Sequence, residues 1–300
     1  MKSQKLTLII LLAVTALLLI EFAGKRLFAT RTAQKTEKTK KSGEPENSAK
    51  DTTAQISAAD SIAALYAPSI FKNEQKKHNR VKEAYKKYGK KVSDLYSKLG
   101  LDENSLEIYL RVFKKEKLLE VWAKDKNKKQ YSLLTSYDFC KSSGTLGPKR
   151  KEGDLQIPEG FYRIVTFNPE SQFYLSLGIN YPNRSDKVLG DTTNLGGDIF
   201  IHGDCVTVGC IPITDEKIQE LYIIAVDAKA VGQGRIPVSI FPTKLDDANF
   251  KALTTEYVDK PQLLKFWASL KEGYQTFEKC KKLPTITFGA KGEYICKSGC

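Results

Sequence analysis

At Gly100 the apolar pattern of this chain changes period, and few folds accommodate that change. Before it, Val81, Tyr85, Tyr88, Val92, Leu95 and Leu99 recur at alternating steps of four and three, the stripe of an amphipathic helix that the glycine ends. After it, Ile108, Leu110 and Val112, then Leu119, Val121 and Ala123, then Tyr131 and Leu133 alternate with polar residues, with polar turns at 114–117 and 125–129. Period-two runs between polar turns predict a strand meander. Further strands are expected at 161–167, 173–177, 199–202 and 237–241. Helices return later. Thr214 is placed to cap one that carries Asp215 and Glu216 in its first turn and Ile218, Leu221, Tyr222 and Ala225 on its apolar face. Pro261 opens another, with Leu263, Phe266, Trp267 and Leu270 facing one way. The expected class is α+β: a mainly β core with flanking helices.

The first residues bear on compartment. Lys2 and Lys5 precede an uncharged apolar run at 6–20. As a helix it would be about 22 Å long, short of a hydrocarbon core of roughly 30 Å. A basic start and a short apolar run read as a signal peptide or signal anchor. A cut after Ala23 would put Glu21 at the outer recognition position, and one after Ala29 would put Leu27 there, so an uncleaved anchor is favoured over a cleaved signal or a core helix. From 25 to 60 the only large apolar residues are Leu27, Phe28 and Ile56, too few to form a core. The organisation expected is an anchor or signal at 1–24, a disordered tether at 25–60, a helical segment at 61–100, a β-rich domain at 101–245 and a helical, cysteine-containing extension at 246–300.

Lysine and arginine number 48 against 35 acids, a formal charge of +13. The helix before Gly100 holds ten of those bases against three acids between Phe71 and Gly100, read first as a solvated face and second as a surface for anionic lipid or glycan. No nucleic-acid-binding motif is present, and export argues against such a partner. His78 in this helix reads as solvated. Six cysteines are too few for a disulfide scaffold, so ordinary burial must supply the core.

The chemistry concentrates in Ile199-Phe200-Ile201-His202-Gly203-Asp204-Cys205-Val206-Thr207-Val208-Gly209-Cys210. His202 closes a β-branched strand and is followed at once by glycine. Cys210 follows Gly209 and lies shortly before the expected helix start, so both imidazole and helix terminus are expected to favour thiolate. Gly209 frees the backbone to turn successive amides toward a developing oxyanion. A nucleophile, a base and adjacent amide donors are the parts of a cysteine acyl-transfer site. Three other readings stay open: a Cys205–Cys210 disulfide, a zinc site from His202, Asp204, Cys205 and Cys210, and plain packing. Cys140 and Cys205 read as buried thiols, and a tail disulfide from Cys280 to Cys296 or to Cys300 is expected around a hairpin at 285–288 and 292–295.

These residues carry a resemblance. His202-Gly203 followed by Thr207-Val208-Gly209-Cys210 resembles the signature of the L,D-transpeptidase catalytic-domain family (YkuD-type), and more closely its YafK-like branch, over about 107–245. Pro158-Glu159-Gly160-Phe161 is similar to the family's Pro-x-Gly-aromatic turn. Ser-Gly-Thr-Leu-Gly-Pro-Lys at 143–149 and Asn180-Tyr181-Pro182-Asn183 are similar to that branch. Two departures stand out. The histidine lies about half as far ahead of the cysteine as is usual in the family, and the arginine common soon after the cysteine is replaced by Ile211-Pro212-Ile213.

The resemblance implies a β core of L,D-transpeptidase type at 101–245 and a two-step mechanism without metal or cofactor. His202 would activate Cys210, oriented by the Gly203 carbonyl. Cys210 would attack the carbonyl on the L-centre of the diamino acid in a peptidoglycan stem peptide. The amides of Val208, Gly209 and Cys210 would hold the oxyanion. An amine acceptor, from an envelope protein or a second stem, would then take the acyl group in transpeptidation; water would make the enzyme an amidase or endopeptidase. With the usual arginine missing, Lys149, Arg150 or Arg184, with Thr207, are expected to bind the anionic stem. The location implied is the extracytoplasmic, periplasmic side of the cell envelope, held there by the membrane anchor. The non-enzymatic alternative is an inactive, tethered wall-binding protein.

Overall fold

The computed structural model describes residues 68–297 and Cys300; the expected anchor and tether, and residues 61–67 of the expected helical segment, lie outside them. Among the described residues no helix is long and apolar enough to cross a membrane.

The helical stripe forms α1 (Pro68–Gln75) and α2 (Asn79–Lys98), with Gly100 at a φ of 58° that the glycine adopts without a Cβ clash. Val81, Ala84, Val92 and Tyr96 of α2 are buried against α4 (Asp215–Ala230). The basic face is only partly solvated. Lys72 pairs with Asp227 at 2.7 Å and Lys91 with Glu220 at 2.6 Å, both carboxylates being buried on α4, and the Tyr85 hydroxyl donates to Asp227 at 2.8 Å. Arg80 donates to the carbonyls of Ser171 and Tyr174, and His78, rather than being simply solvated, sits 2.9 Å from Glu170.

An eight-stranded sheet follows: β1 (Leu106–Phe113), β2 (Leu118–Asp125), β3 (Ser132–Asp138), β4 (Gly160–Asn168), β5 (Ser176–Ile179), β6 (Phe200–His202), β7 (Ile211–Pro212) and β8 (Pro237–Phe241), in the spatial order β3-β2-β1-β8-β4-β5-β6-β7. Only β1/β8 and β6/β7 run parallel. The alternation in β1 sorts its side chains to two cores. Ile108, Leu110 and Val112 join the cluster under α4, whereas Tyr109 and Phe113 pack against α6 (Pro261–Cys280) on the other face. The core is thus one β-sheet with helices on both of its faces.

Three local expectations are corrected. The strand expected at 173–177 begins only at Ser176, because Phe173 and Tyr174 form a turn that places the Phe173 ring 4.7 Å from the His202 ring. Thr214 gives α4 no side-chain cap; it sits at a φ of 71°, rare for a β-branched residue, and Asp215 occupies the first turn. Cys140 and Cys205 are not separate buried thiols but a disulfide with Cα atoms 5.5 Å apart, so the Cys205–Cys210 alternative falls. In the tail the disulfide is Cys280–Cys300, which leaves Cys296 and Cys210 as free thiols. Helix α3 (Arg184–Leu189) has no counterpart in the expectation, whereas α5 (Asp247–Glu256) falls within the helical extension expected at 246–300.

Lys114, read as a polar turn residue, is buried. Its ammonium lies 3.0 Å from Glu159, the carboxylate of the Pro-x-Gly-aromatic turn, and donates to the carbonyls of Gly147 and Ile157. Glu159 also accepts from the Gly147 amide at 2.8 Å and from the Trp267 indole at 2.7 Å. One buried carboxylate therefore ties the long β3–β4 connection to β1 and α6. Removing it strands a buried ammonium and two further donors, so Glu159→Ala is expected to lower the unfolding free energy in urea by about 3–5 kcal/mol. A loss within the scatter of surface substitutions would show that the network does not hold the loop.

Candidate active site

His202 ends β6 and Cys210 immediately precedes β7. The parallel register pairs Ile201 with Ile211 and His202 with Pro212, which sets Cys210 beside Phe200. Side chains alternate along a strand, so Ile201 and Ile211, both fully buried, point to the α4 core. His202 and Cys210 therefore share the opposite face, on neighbouring strands and two residues out of register.

The imidazole is buried beside Phe173, and its Nδ1 is hydrogen bonded to the Gly203 carbonyl. A carbonyl can only accept, so Nδ1 carries the proton and Nε2 keeps the lone pair. Gly203 is required for room: a Cβ there would lie 2.5 Å from the Asp215 carboxylate and 3.0 Å from the Phe173 carbonyl. The Cys210 sulfur accepts from the Phe200 amide at 3.4 Å and donates to the Asp198 carbonyl at 3.6 Å. Among the described residues no hydrogen bond joins the thiol to the imidazole, so its proton rests on Asp198.

Electrostatics correct the expectation of a thiolate. Burial pushes the Cys210 thiol above its ordinary value; the Phe200 amide opposes this, the Asp198 charge adds to it and the Lys149 charge opposes it. Burial also pulls the His202 imidazole down, against the Gly203 hydrogen bond and the Asp204 charge. Both shifts disfavour charge, and the resting pair is a neutral thiol beside a neutral base. The helix terminus gives no help, because Asp215 and Glu216 cover the first turn of α4.

Of the three expected oxyanion amides, that of Gly209 is engaged: it donates to Thr207 Oγ1 at 3.2 Å, while the Thr207 hydroxyl donates to the Cys210 carbonyl at 2.8 Å. Thr207 thus builds the turn. Gly209 takes a φ of 133° and passes close under the Gln156 carbonyl, 3.0 Å from where a Cβ would be. The expected substrate cations fare unequally. Lys149 is buried and paired with Asp154 at 2.7 Å, and Arg150 lies 3.4 Å from the buried Asp186 with its guanidinium over Phe266, so both already have partners inside the fold. Arg184 is exposed at the start of α3, and among the described residues no ion pair engages it. The zinc alternative loses a ligand, since the Cys205 sulfur is spent in the disulfide. A cleft of about 340 Å³ between the sheet and the C-terminal hairpin, whose strands are Thr285–Phe288 and Tyr294–Lys297, is lined by Tyr109, Phe161, Arg163, Arg235 and Phe288 and touches none of these residues.

This arrangement can be set against known proteins. The L,D-transpeptidase catalytic domain family (YkuD) matches residues 107–240. The protein described as "Putative L,D-transpeptidase YafK" of Escherichia coli, in strain K12 and in O157:H7, is 38% identical over 191 residues, which cover 63% of this chain and 73% of that protein. The chain belongs to the L,D-transpeptidase family, in its YafK-like branch. Among solved structures, the helical cell shape determining protein Pgp2 of Campylobacter jejuni is 20% identical with a TM-score of 0.37, covering 66% of this chain and 80% of its own. Bd1075 of Bdellovibrio bacteriovorus is also 20% identical, with a TM-score of 0.34, covering 63% and 79%.

For this L,D-transpeptidase relative, sequence reasoning missed Phe173, Asp198 and Gln156, which surround the pair, and the Cys140–Cys205 bond beside it. Only the cysteines carried a signal, as sulfurs without an assigned role. The two shifts have a measurable consequence. A raised thiol pKa keeps Cys210 protonated through neutral pH, and a lowered imidazole pKa keeps His202 a base below its ordinary value. Iodoacetamide alkylation of Cys210, followed by peptide mass, is expected to reach half-maximum above an ordinary thiol's value of about 8.5. A midpoint near neutrality would mean a preformed thiolate–imidazolium pair.

Proposed function

We propose that the protein is a cysteine L,D-transpeptidase acting on peptidoglycan stem peptides. What supports this most is the His202 hydrogen bond to Gly203, which leaves Nε2 as a lone pair on the strand face that also bears the Cys210 thiol. In this reading a bound stem displaces the thiol from the Asp198 carbonyl and His202 Nε2 takes its proton. The sulfur attacks the carbonyl on the L-centre of the diamino acid, and the amides of Val208 and Cys210 receive the oxyanion. Such donors are each worth about 3–4 kcal/mol of barrier. The imidazolium returns the proton to the departing amine as the C–N bond breaks, leaving a thioester. The acceptor amine then gives its proton to Nε2 as it attacks, and the tetrahedral intermediate expels the sulfur, which is reprotonated. No step needs a metal or cofactor. Arg184 is the cation left for the stem carboxylate, and Lys149 acts on Cys210 through its charge.

The acyl acceptor in this proposal is an amine of a second stem or of an envelope protein. The apolar run at 6–20 holds the domain at the membrane on the extracytoplasmic side, where peptidoglycan lies. Hydrolysis of the same bonds is the second reading; the short connection from His202 to Cys210 and the half-buried sulfur favour access by water.

The test is mass spectrometry of purified stem peptides after incubation, with and without an added amine. An exchanged product that appears only with the amine supports transfer, and cleavage in both arms selects the hydrolase. Cys210→Ala is expected to abolish either product. A carbapenem is expected to add its mass at Cys210. A folded protein that leaves stems unchanged and takes up no drug at saturation would sink the enzymatic reading and leave a wall-binding one.

A further inference from the structure

The loop that carries the chain from His202 to Cys210 is held at its ends and not at its tip. Gly203 N donates to the Leu175 carbonyl at 3.2 Å and Asp204 N to the Asp215 carboxylate at 2.8 Å; the Thr207 turn closes the far end. Between them Val206 is 43% exposed and Val208 is 74% exposed, so burial does not pin this stretch. Asp204 keeps a left-handed φ of 56°, a conformation that lasts only where the surroundings impose it.

The tie that reaches this stretch from elsewhere in the sheet is the Cys140–Cys205 disulfide. Its other end is firm. Phe139 is buried and its amide donates to the Lys117 carbonyl at 2.7 Å, and Cys140 N donates to the Pro212 carbonyl at 3.1 Å. Pro212 lies on β7, just beyond the nucleophile. A closed circuit therefore runs from β7 through the backbone of Cys140, across the sulfurs to Cys205, and along the loop back to Cys210. Both half-cystines are exposed, so thiol exchange can reach them in the folded protein.

We propose that Cys140 and Cys205 are positioning residues, and that their disulfide sets the loop presenting the Gly203 carbonyl and the Val208 and Cys210 amides, so that the site is assembled only in the oxidised molecule. The bond forms by exchange with an oxidised dithiol partner. The two cysteines give up two electrons and two protons as their S–S bond forms, and the partner's disulfide becomes two thiols. Excess thiol drives the reverse. The chain is then silent in a reducing compartment and becomes competent after export to an oxidising one.

The experiment uses the full-length protein, with the Cys140→Ser/Cys205→Ser double variant beside it and Cys280→Ser/Cys300→Ser as the control for the other disulfide. The readout that does not depend on substrate is the pH profile of Cys210 alkylation by iodoacetamide, mapped by peptide mass. Loosening the loop exposes the sulfur, so the Cys140/Cys205 variant, still folded by circular dichroism, is expected to move its midpoint down to the ordinary thiol value. The control keeps the wild-type profile. Turnover of stem peptides is expected to fall about 100-fold in kcat, the order lost when reacting groups shift by about 1 Å. Wild-type protein reduced with a phosphine and reoxidised with oxidised glutathione is expected to lose and regain both properties as its mass gains and loses four hydrogens, two at each disulfide.

A folded double variant, or a reduced wild type, with unchanged profile and kcat overturns the proposal. So does global unfolding on reduction, which would make the bond a fold staple and nothing more. The turnover arm rests on the function proposed above and the alkylation arm does not. A shifted profile in a protein that never acts on stems would refute that function and leave the positioning role standing.

Discussion

Everything at the candidate site depends on the parallel pairing of two very short strands. β6 and β7 share a register of only Ile201 with Ile211 and His202 with Pro212, and parallel pairing is slightly the weaker kind. Such a ladder cannot hold itself. Burial holds it: Ile199, Ile201, Ile211 and Ile213 all enter the core under α4, where Ile218, Leu221 and Tyr222 meet them. Each fully buried side chain of this kind contributes about 1.5–3 kcal/mol. Because strand side chains alternate, seating these isoleucines in the core turns His202 and Cys210 together onto the other face. A slip of one residue in either strand would put an ionisable group into hydrocarbon.

The same burial that fixes the geometry decides the charge state. A thiolate next to an imidazolium would need water or fixed dipoles to stabilise both. Here the imidazole lies under Phe173 and the sulfur between Phe200 and Asp198, with the helix terminus occupied by its own acids. Desolvation outweighs the favourable Phe200 amide and Lys149 charge. A neutral pair suits the proposed reaction, in which the thiolate forms only as substrate arrives, since the Gly203 carbonyl already selects the tautomer with a free Nε2 lone pair.

How much of this was legible follows from the physics of each element. β1, β2 and the stripe of α2 declare themselves because each buries one face, and clean periodicity is the trace of that. Strand β7 is two residues long and ends in Pro212, which speaks against a strand anywhere but an edge. Phe173 looked like a strand residue because an aromatic in an apolar run fits the alternation, yet its ring is needed over His202. The capping box of α3, with Asn183 accepting from Asp186 and returning the bond, was readable as Asn-x-x-Asp but hidden beside a proline. His202, Gly203 and Cys210 were visible because their residue types are rare in combination. The pairing of Cys140 with Cys205 and the neutral thiol were not, since each is set by which distant segments share a surface.

The boundary of the family match is not a boundary of the core. Residues 107–240 contain α4 and every strand of the large sheet apart from the end residues Leu106 and Phe241, but neither outer face is closed within them. On one side Val81, Ala84, Val92 and Tyr96 of α2 cover α4. On the other, Trp267, Leu270 and Tyr274 of α6 bury Phe113 and Phe241, and Phe277 covers Tyr109. Arg111 is the sharpest case. Its guanidinium lies among the rings of Phe113, Tyr274 and Phe277 and pairs with Glu278 at 2.6 Å, three of these four partners belonging to α6. A chain cut to the matched region would expose both apolar surfaces and strand that charge on the sheet. Helices α2 and α6, both outside the family match, are therefore structural parts of the domain, and the loop bearing Cys210 inherits its order from a sheet that needs both of them.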